Sequence, residues 1–284
     1  MSAGKSIFIS GAAAGIGAET ARLFARNGWL VGASDISADG LARLAQEIGP
    51  DRVSVHPADV RDFRAVESAL RDFGVRTGGR LDAVFANAGV LFMGPDETLT
   101  RAEKDLLVDV NVRGVLHTID AAFPYLARTP GAHVVAMSST SAEYGSPQHA
   151  VYSATKFFVR GLTEALNIEY RAHGIQVSAI YVAYVRTGMV LDAKVRPASI
   201  ERLGVKITPS SFDSGSWRTA NRLSAPIPSG HRFEILPFST VIEASSCSST
   251  SQLSPFPPRY ISRPPWSCTQ CLTRSYIVRV QYSG

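Results

Sequence analysis

Cysteine is absent from the first 208 of the 284 residues; Cys247, Cys268 and Cys271 all lie beyond them. That excludes internal disulfides from the larger part of the chain and suits a reducing, cytoplasmic setting. No apolar run reaches the roughly 18 residues that span a bilayer. Met1–Ser10 enters a strand-like segment without a signal peptide's apolar stretch, so neither secretion nor a membrane partner is expected. Lysine is missing from residues 209–284, which hold seven Arg and three acids, a net of +4. Residues 1–208 hold 22 Lys+Arg and 21 Asp+Glu, a net of +1, so the overall +5 sits mainly in the last part. The seven Arg are scattered and lie on no amphipathic pattern, and no nucleic-acid partner is expected.

What is present in the first 208 residues is alternation. Strand-like segments are expected at Ser6–Ser10, Trp29–Ser34, Arg52–His56, Leu81–Ala86, His133–Ser138 and Gln176–Tyr181. Helical periods lie between them: Ile16, Thr20, Leu23 and Phe24 at one spacing, then Ser37–Ile48, Asp62–Phe73, a long helix over Thr100–Ala127, and Val151–His173. Strands separated by helices imply parallel pairing with right-handed crossovers, hence an α/β, doubly wound, Rossmann-like sheet with helices on both faces. In such a sheet ligands bind beyond the carboxyl ends of the strands.

The unusual residues stand at those ends. Gly11-Ala-Ala-Ala-Gly15-Ile16-Gly17 joins the first strand to its helix, where backbone N–H groups and the helix's positive end can hold a pyrophosphate. The spacing is one residue off the usual dinucleotide pattern, and a glycine-rich turn can also be only a turn. Asp35 closes the second strand, 18 residues after Gly17. Its carboxylate can accept from a ribose diol and repel a 2′-phosphate, which favours NAD over NADP, or it can cap a helix. Asp59 can accept from an adenine amine or cap the helix that follows.

Tyr152 and Lys156 are four residues apart on one expected helix and share a face. Ser139 follows the fifth strand. A phenol with an ordinary pKa of about 10 needs about 4 kcal/mol of relative phenolate stabilisation to act near pH 7. A neighbouring ammonium and a cationic nicotinamide can supply it, while Ser139 holds the substrate oxygen.

With S-G-A-A-A-G-I-G (10–17), D-I (35–36), D-V (59–60), N-A-G (87–89), N-V (111–112), S-S (138–139) and Y-S-A-T-K (152–156) in this order, the chain resembles the short-chain dehydrogenase/reductase family over about residues 5–208. The resemblance implies an NAD-dependent oxidoreductase, NADP being the lesser candidate, that interconverts a secondary alcohol and a ketone. In it Tyr152 is the general acid/base, Lys156 lowers its pKa and binds the nicotinamide ribose, and Ser139 orients the carbonyl. Asn111 supports a water relay to Lys156; by itself it reads as a polar break in a helix. The same resemblance places Gly11, Gly15, Ile16 and Gly17 against the cofactor, with Asp35, Asp59 and Val60. Asn87, Ala88, Gly89 and Thr187 join them. A homodimer or tetramer through helices 100–127 and 151–173 is implied as well. Val182-Ala183 stand where such enzymes carry Pro-Gly, so the path of that loop is open.

The substrate cleft is expected to be apolar, lined by Leu91, Phe92, Met93 and Tyr144 with the loop Val185–Ile200, and suited to a small hydrophobic alcohol or ketone; the alternative is that these residues are simply core. His149 lies at its entrance or is an ordinary loop residue.

Residues 209–284 lack the helix, strand and glycine turn the family carries there. Ser245–Ser251 and Pro255–Pro258 are low-complexity. Phe233–Ile242 and Tyr276–Tyr282 read as short strands. The loss of Lys and the fall of Ala to three in 76 residues point to a shifted reading frame or comparable join from about Ser210, with a genuine extension as the alternative. In the latter part Cys268-x-x-Cys271 has no second pair, and the histidines of the first part have no ligand spacing, so no metal is expected. The competing function is a nucleotide-binding scaffold impaired by the missing C-terminal element.

Overall fold

A computed structural model describes residues 4–182, Met189 and the segments 231–235 and 278–282. In the first stretch strands and helices alternate: β1 (Ser6–Ser10), α1 (Gly15–Arg26), β2 (Leu30–Asp35), α2 (Ala38–Ile48), β3 (Val53–Pro57) and α3 (Phe63–Arg76). There follow β4 (Ala83–Ala86), α4 (Arg101–Val108), α5 (Gly114–Leu126), β5 (His133–Met137), α6 (Ala150–Glu169) and β6 (Gln176–Ile180). The six strands are parallel, in the order β3-β2-β1-β4-β5-β6. This is the expected doubly wound sheet. The order reverses between β1 and β4, so the chain leaves their carboxyl ends toward opposite faces and opens a crevice there.

The strands at that crevice are covered on both faces: every residue of β1 and of β4 is buried, Ser6 and Ser10 at the two ends of β1 included. Phe8, Leu70, Phe73, Val84 and Ile119 belong to one buried cluster joining the sheet to α3 and α5. Each such side chain contributes about 2 kcal/mol through burial. The site is thus built on stiff strand ends.

Helix starts follow local chemistry. Ser37 caps α2, its Oγ accepting from the Gly40 N–H at 3.2 Å. The cap of α3 is Asp62, which accepts from the Arg64 and Ala65 N–H groups at 2.9 and 3.3 Å. Asp59 does not cap that helix, because Arg61 occupies it: the Arg61 backbone N–H and Nε donate to Asp59 Oδ1 at 2.9 and 3.0 Å. That guanidinium also holds the Asp59 carboxyl below its ordinary pKa.

The uninterrupted helix expected over Thr100–Ala127 is three pieces: α4, one wide π-type turn over Asp109–Arg113, and α5. The wide turn shifts the side chains that follow out of the 3.6-residue register and places Asn111, at 0 % exposure, inside the protein. The helix expected to run to His173 ends at Glu169 and tightens into a 3₁₀ turn over Tyr170–His173, closed by left-handed Gly174.

Residues 1–227 and 228–284 are separate compact units. In the second, His231–Ile235 pairs antiparallel with Val278–Tyr282, overlapping the two segments read as strands. Thr187, the Ser- and Pro-rich stretches and all three cysteines lie outside the described residues. Among the described residues no helix is long and apolar enough to cross a membrane, and no group of three or more His, Cys, Asp or Glu side chains could hold a metal ion.

The sheet carries an acid-sensitive point. His133 on β5 bonds Ser178 Oγ on β6 at 2.8 Å, and burial lowers its pKa to about 4. The folded state therefore favours neutral imidazole. Its contribution is fully present above about pH 6.5 and is lost as pH falls toward 4, because the unfolded chain takes up the proton first. Urea unfolding between pH 7 and 4 is expected to show a loss of up to about 3 kcal/mol from this residue, and His133→Gln is expected to flatten that limb.

Candidate functional site

The crevice at the ends of β1, β4 and β5 is a cleft of about 290 Å³. Its floor at one end is the turn from β1 to α1. Gly11 has φ +69° and Gly15 φ +54°, left-handed conformations in which a side chain would be strained. A Cβ on Gly11 would stand 2.7 Å from the Ala88 Cα, and one on Gly17 would overlap the Gly11 carbonyl oxygen. The cradle is thus narrow and lined by backbone. Asn87 braces it by donating from Nδ2 to the carbonyls of Ser10 and Gly11 at 3.1 and 3.0 Å.

Asp35 stands beside this turn. Its Oδ2 accepts from the Ala13 N–H at 3.0 Å and its Oδ1 from the Ser37 N–H at 2.9 Å. Each oxygen keeps a further lone pair. The alternatives read for Asp35 are partly reconciled: it shapes the start of α2, but the cap is Ser37.

At the other end α6 presents Tyr152 and Lys156. Lys156 is 3 % exposed, donates from Nζ to the Met137 carbonyl at 3.0 Å, and lies 5.6 Å from the centroid of the Tyr152 ring. Burial lowers its pKa to about 8. No described carboxylate forms an ion pair with it. Ser139 caps a short turn over Thr140–Ala142: its Oγ accepts from the Ser141 N–H at 3.1 Å and donates to the Val182 carbonyl at 3.4 Å. Arg160, one turn beyond Lys156, donates to the Ala142 carbonyl and to Glu143, both at 3.1 Å, and ties that turn to α6.

The cleft thus gathers Gly11, Gly15, Ile16 and Asp35 with Asn87, Ala88 and Gly89, and with Ser139, Tyr152 and Lys156. Asn111 supports it from behind: its Oδ1 accepts from the Val90 N–H at 2.8 Å, and its Nδ2 donates to the Val90 carbonyl at 3.0 Å and to Thr155 Oγ1 at 3.2 Å. Its amide is engaged on both sides. Gly17 lies beneath the turn, whereas Asp59 and Val60 fall outside the lining. Of the expected apolar wall, Leu91, Tyr144 and, from the loop Val185–Ile200, Met189 line the cleft; the rest of that loop lies outside the described residues. Phe92 and Met93 do not, and Met93 is buried. Ser141, Ser146 and His149 line it as well.

Sequence reasoning passed over Met137, Ser138 and Thr155. Met137 acts through its backbone carbonyl, which leaves no mark on residue type. Ser138, which donates to the Lys156 carbonyl at 3.3 Å, and Thr155 had a signal in being polar at positions that face the core.

The profile described as short chain dehydrogenase matches residues 5–196. The chain belongs to the short chain dehydrogenase family. It is an oxidoreductase of that family. The oxidoreductase UcpA of Salmonella typhimurium is 37 % identical over 189 residues, 66 % of this chain and 71 % of the relative. A 3-ketoacyl-(acyl-carrier-protein) reductase from Brucella melitensis, complexed with NADH, superposes with a TM-score of 0.63 at 27 % identity, covering 73 % of this chain and 92 % of its own. An alcohol dehydrogenase from the archaeon Thermococcus sibiricus, complexed with 5-hydroxy-NADP, gives 0.62 at 28 % identity, covering 68 % and 82 %.

Proposed function

We propose that this short-chain oxidoreductase interconverts a secondary alcohol and a ketone with a nicotinamide nucleotide, NAD before NADP, using Tyr152 as general acid/base. The observation that carries the reading is one cleft with a backbone-lined glycine cradle at one end and the Tyr152–Lys156 pair at the other. The cradle fits a pyrophosphate, since Gly11, Ala14, Gly15 and Ile16 line the cleft where α1 begins, at the helix's positive end. Asp35 would take the adenine-side ribose, Asn87–Gly89 the middle of the cofactor, and Lys156 the nicotinamide ribose; Thr187 is retained as a further contact. Asp59 and Val60 would serve the adenine end only from the rim, Asp59 remaining paired with Arg61. When bound, the nucleotide supplies or takes up the hydride.

The chain's own residues handle the proton. In reduction Tyr152 donates its phenolic proton to the carbonyl oxygen as the carbonyl carbon gains a hydride, giving the carbinol; in oxidation the phenolate takes the proton back. Lys156, still about nine-tenths protonated at pH 7 with a pKa of about 8, favours the phenolate by Coulomb attraction. Ser139 holds the substrate oxygen. Because the side-chain amide of Asn111 is engaged with Val90 and Thr155, a water relay toward Lys156 would run from the Asn111 backbone carbonyl. Exposed Phe157 and Phe158 on α6 support a homodimer or tetramer through α4–α5 and α6.

The test is turnover of a ketone panel with NADH and NADPH. Reduction with NADH supports the reading, and absence of both nucleotide binding and turnover overturns it. Asp35→Asn is expected to narrow the preference for NADH over NADPH about tenfold in kcat/KM, about 1.4 kcal/mol, by removing the charge that opposes a 2′-phosphate. An unchanged ratio would remove Asp35 from the ribose site.

A second reading rests on the family match ending at residue 196. If residues from about Ser210 derive from a shifted frame, as their composition suggests, the protein is a nucleotide-binding scaffold whose substrate side is incomplete. Its mark is NADH binding without turnover of any ketone. Sequencing codons 205–215 in independent isolates decides the frame.

A further inference from the structure

His149 is one of the cleft residues that the proton and hydride chemistry leaves unused. It is the cap residue of α6, yet its side chain makes no capping hydrogen bond. The preceding Gln148 has φ +63°, the single non-glycine residue with positive φ among those described. A non-glycine residue held there costs about 1 kcal/mol or more, and such conformations persist where the surroundings impose them. Here the turn is pinned on both sides, by the Gly94 N–H donating to the Gln148 carbonyl at 3.0 Å and the His149 N–H to the Ser146 carbonyl at 3.1 Å. Its consequence is the placement of an imidazole. The His149 ring, 9 % exposed, stands edge-on to Tyr152 with centroids 6.3 Å apart and lines the cleft.

The ring's protonation follows from its neighbours. His149 Nδ1 is 3.0 Å from the Pro147 carbonyl, which can only accept, so Nδ1 carries the hydrogen. Burial lowers the imidazole's pKa, so the ring is neutral near pH 7 and Nε2 is a lone pair. No described residue hydrogen-bonds Nε2. Ser141, Tyr144 and Ser146 line the same cleft and add hydroxyl groups to it.

We infer that His149 is a specificity-determining residue whose Nε2 accepts a hydrogen bond from a substrate hydroxyl adjacent to the reacting carbon, so that the preferred substrates are α-hydroxy ketones and the corresponding vicinal diols. The inference rests on the alcohol–ketone reading of the same cleft and replaces the purely hydrophobic substrate by one with a second oxygen. A substrate without that hydroxyl leaves the lone pair unsatisfied in a largely enclosed position.

The experiment compares NADH-dependent reduction of 3-hydroxy-2-butanone and 2-butanone by the full chain, wild type and two variants. A hydroxyl beside a carbonyl raises its electrophilicity with any catalyst, so the change in the kcat/KM ratio between proteins carries the test. His149→Phe keeps the aromatic edge against Tyr152 and removes the acceptor; the ratio is expected to fall about tenfold, the worth of one hydrogen bond. His149→Gln restores an acceptor oxygen and is expected to recover part of the ratio. An equal ratio in wild type and His149→Phe overturns the inference while leaving the oxidoreductase reading intact. Absence of turnover of both ketones by the wild type overturns the alcohol–ketone reading, and this inference with it.

Discussion

Tyr152→Phe is expected to lower kcat for NADH-dependent ketone reduction by about 10³-fold, within the range that general acid/base catalysis supplies, with a far smaller change in NADH affinity. In the proposed reaction the Tyr152 phenol gives and recovers the proton next to the substrate oxygen. Ser139 is engaged with Val182 and Ser141, and Lys156 with the Met137 carbonyl. Removing one oxygen leaves the ring, its contact with His149 and the course of α6 in place, so a loss of rate without loss of binding separates proton transfer from structure. The pH dependence carries a sign of its own. As pH rises through about 8, Lys156 loses its charge and the phenolate loses its electrostatic support, so oxidation should stop gaining from added base near that pH. Rate profiles of oxidation for wild type from pH 6 to 10 check this; a rise continuing with unit slope to pH 10 would contradict it.

Lys156→Met is expected to abolish turnover and, at pH 7, to make the nucleotide-free protein more stable by about 2 kcal/mol. The lysine's pKa falls from 10.5 to about 8 because burial strips water from the ammonium. Below pH 8 both folded and unfolded states carry the proton, and the folded state bears the full cost, about 3 kcal/mol. Between pH 8 and 10.5 the folded protein gives up the proton while the unfolded chain keeps it, and the cost disappears. Methionine is of similar length and leaves no charge. The hydrogen bond to Met137 is lost, which offsets about 1 kcal/mol. Urea unfolding at pH 7 and at pH 10 should therefore show a gain at the lower pH that shrinks at the higher. Destabilisation at pH 7 would mean the ammonium is better accommodated than its burial indicates. A residue kept at a cost to stability is what a site selected for chemistry, and for a ribose partner, would show.

Much of this site was legible in the sequence because it hangs on residue type at fixed spacing. Glycines 11, 15 and 17 between a strand and a helix, an acid at the next strand end, and Tyr and Lys one helical turn apart each name their positions. The wide turn at Asn111 was not legible. The apolar period of 100–127 passes through it, and an extra residue in one turn changes where side chains point without changing which residues are present. Whether Asp59 caps the helix that follows was equally open; in the structure Asp62 is the cap and Arg61 pairs with Asp59. Groups that work through the backbone, such as the carbonyls of Met137, Pro147 and Val182, are supplied by any residue and leave no trace. Of the apolar wall expected from Leu91, Phe92, Met93, Tyr144 and the loop Val185–Ile200, Met93 turns into the core, while the loop before α6 adds hydroxyls and an imidazole to the cleft.

The most direct test follows the hydride and the proton together: reduction of 3-hydroxy-2-butanone or 2-butanone with NADH deuterated at C4, the product being read by mass spectrometry. The wild-type protein should place one deuterium on the carbinol carbon, and Tyr152→Phe, still binding NADH, should form that product about 10³-fold more slowly. Alcohol formed without deuterium from NADH carrying the label on both C4 positions, or a Tyr152→Phe protein with wild-type turnover, would contradict the account.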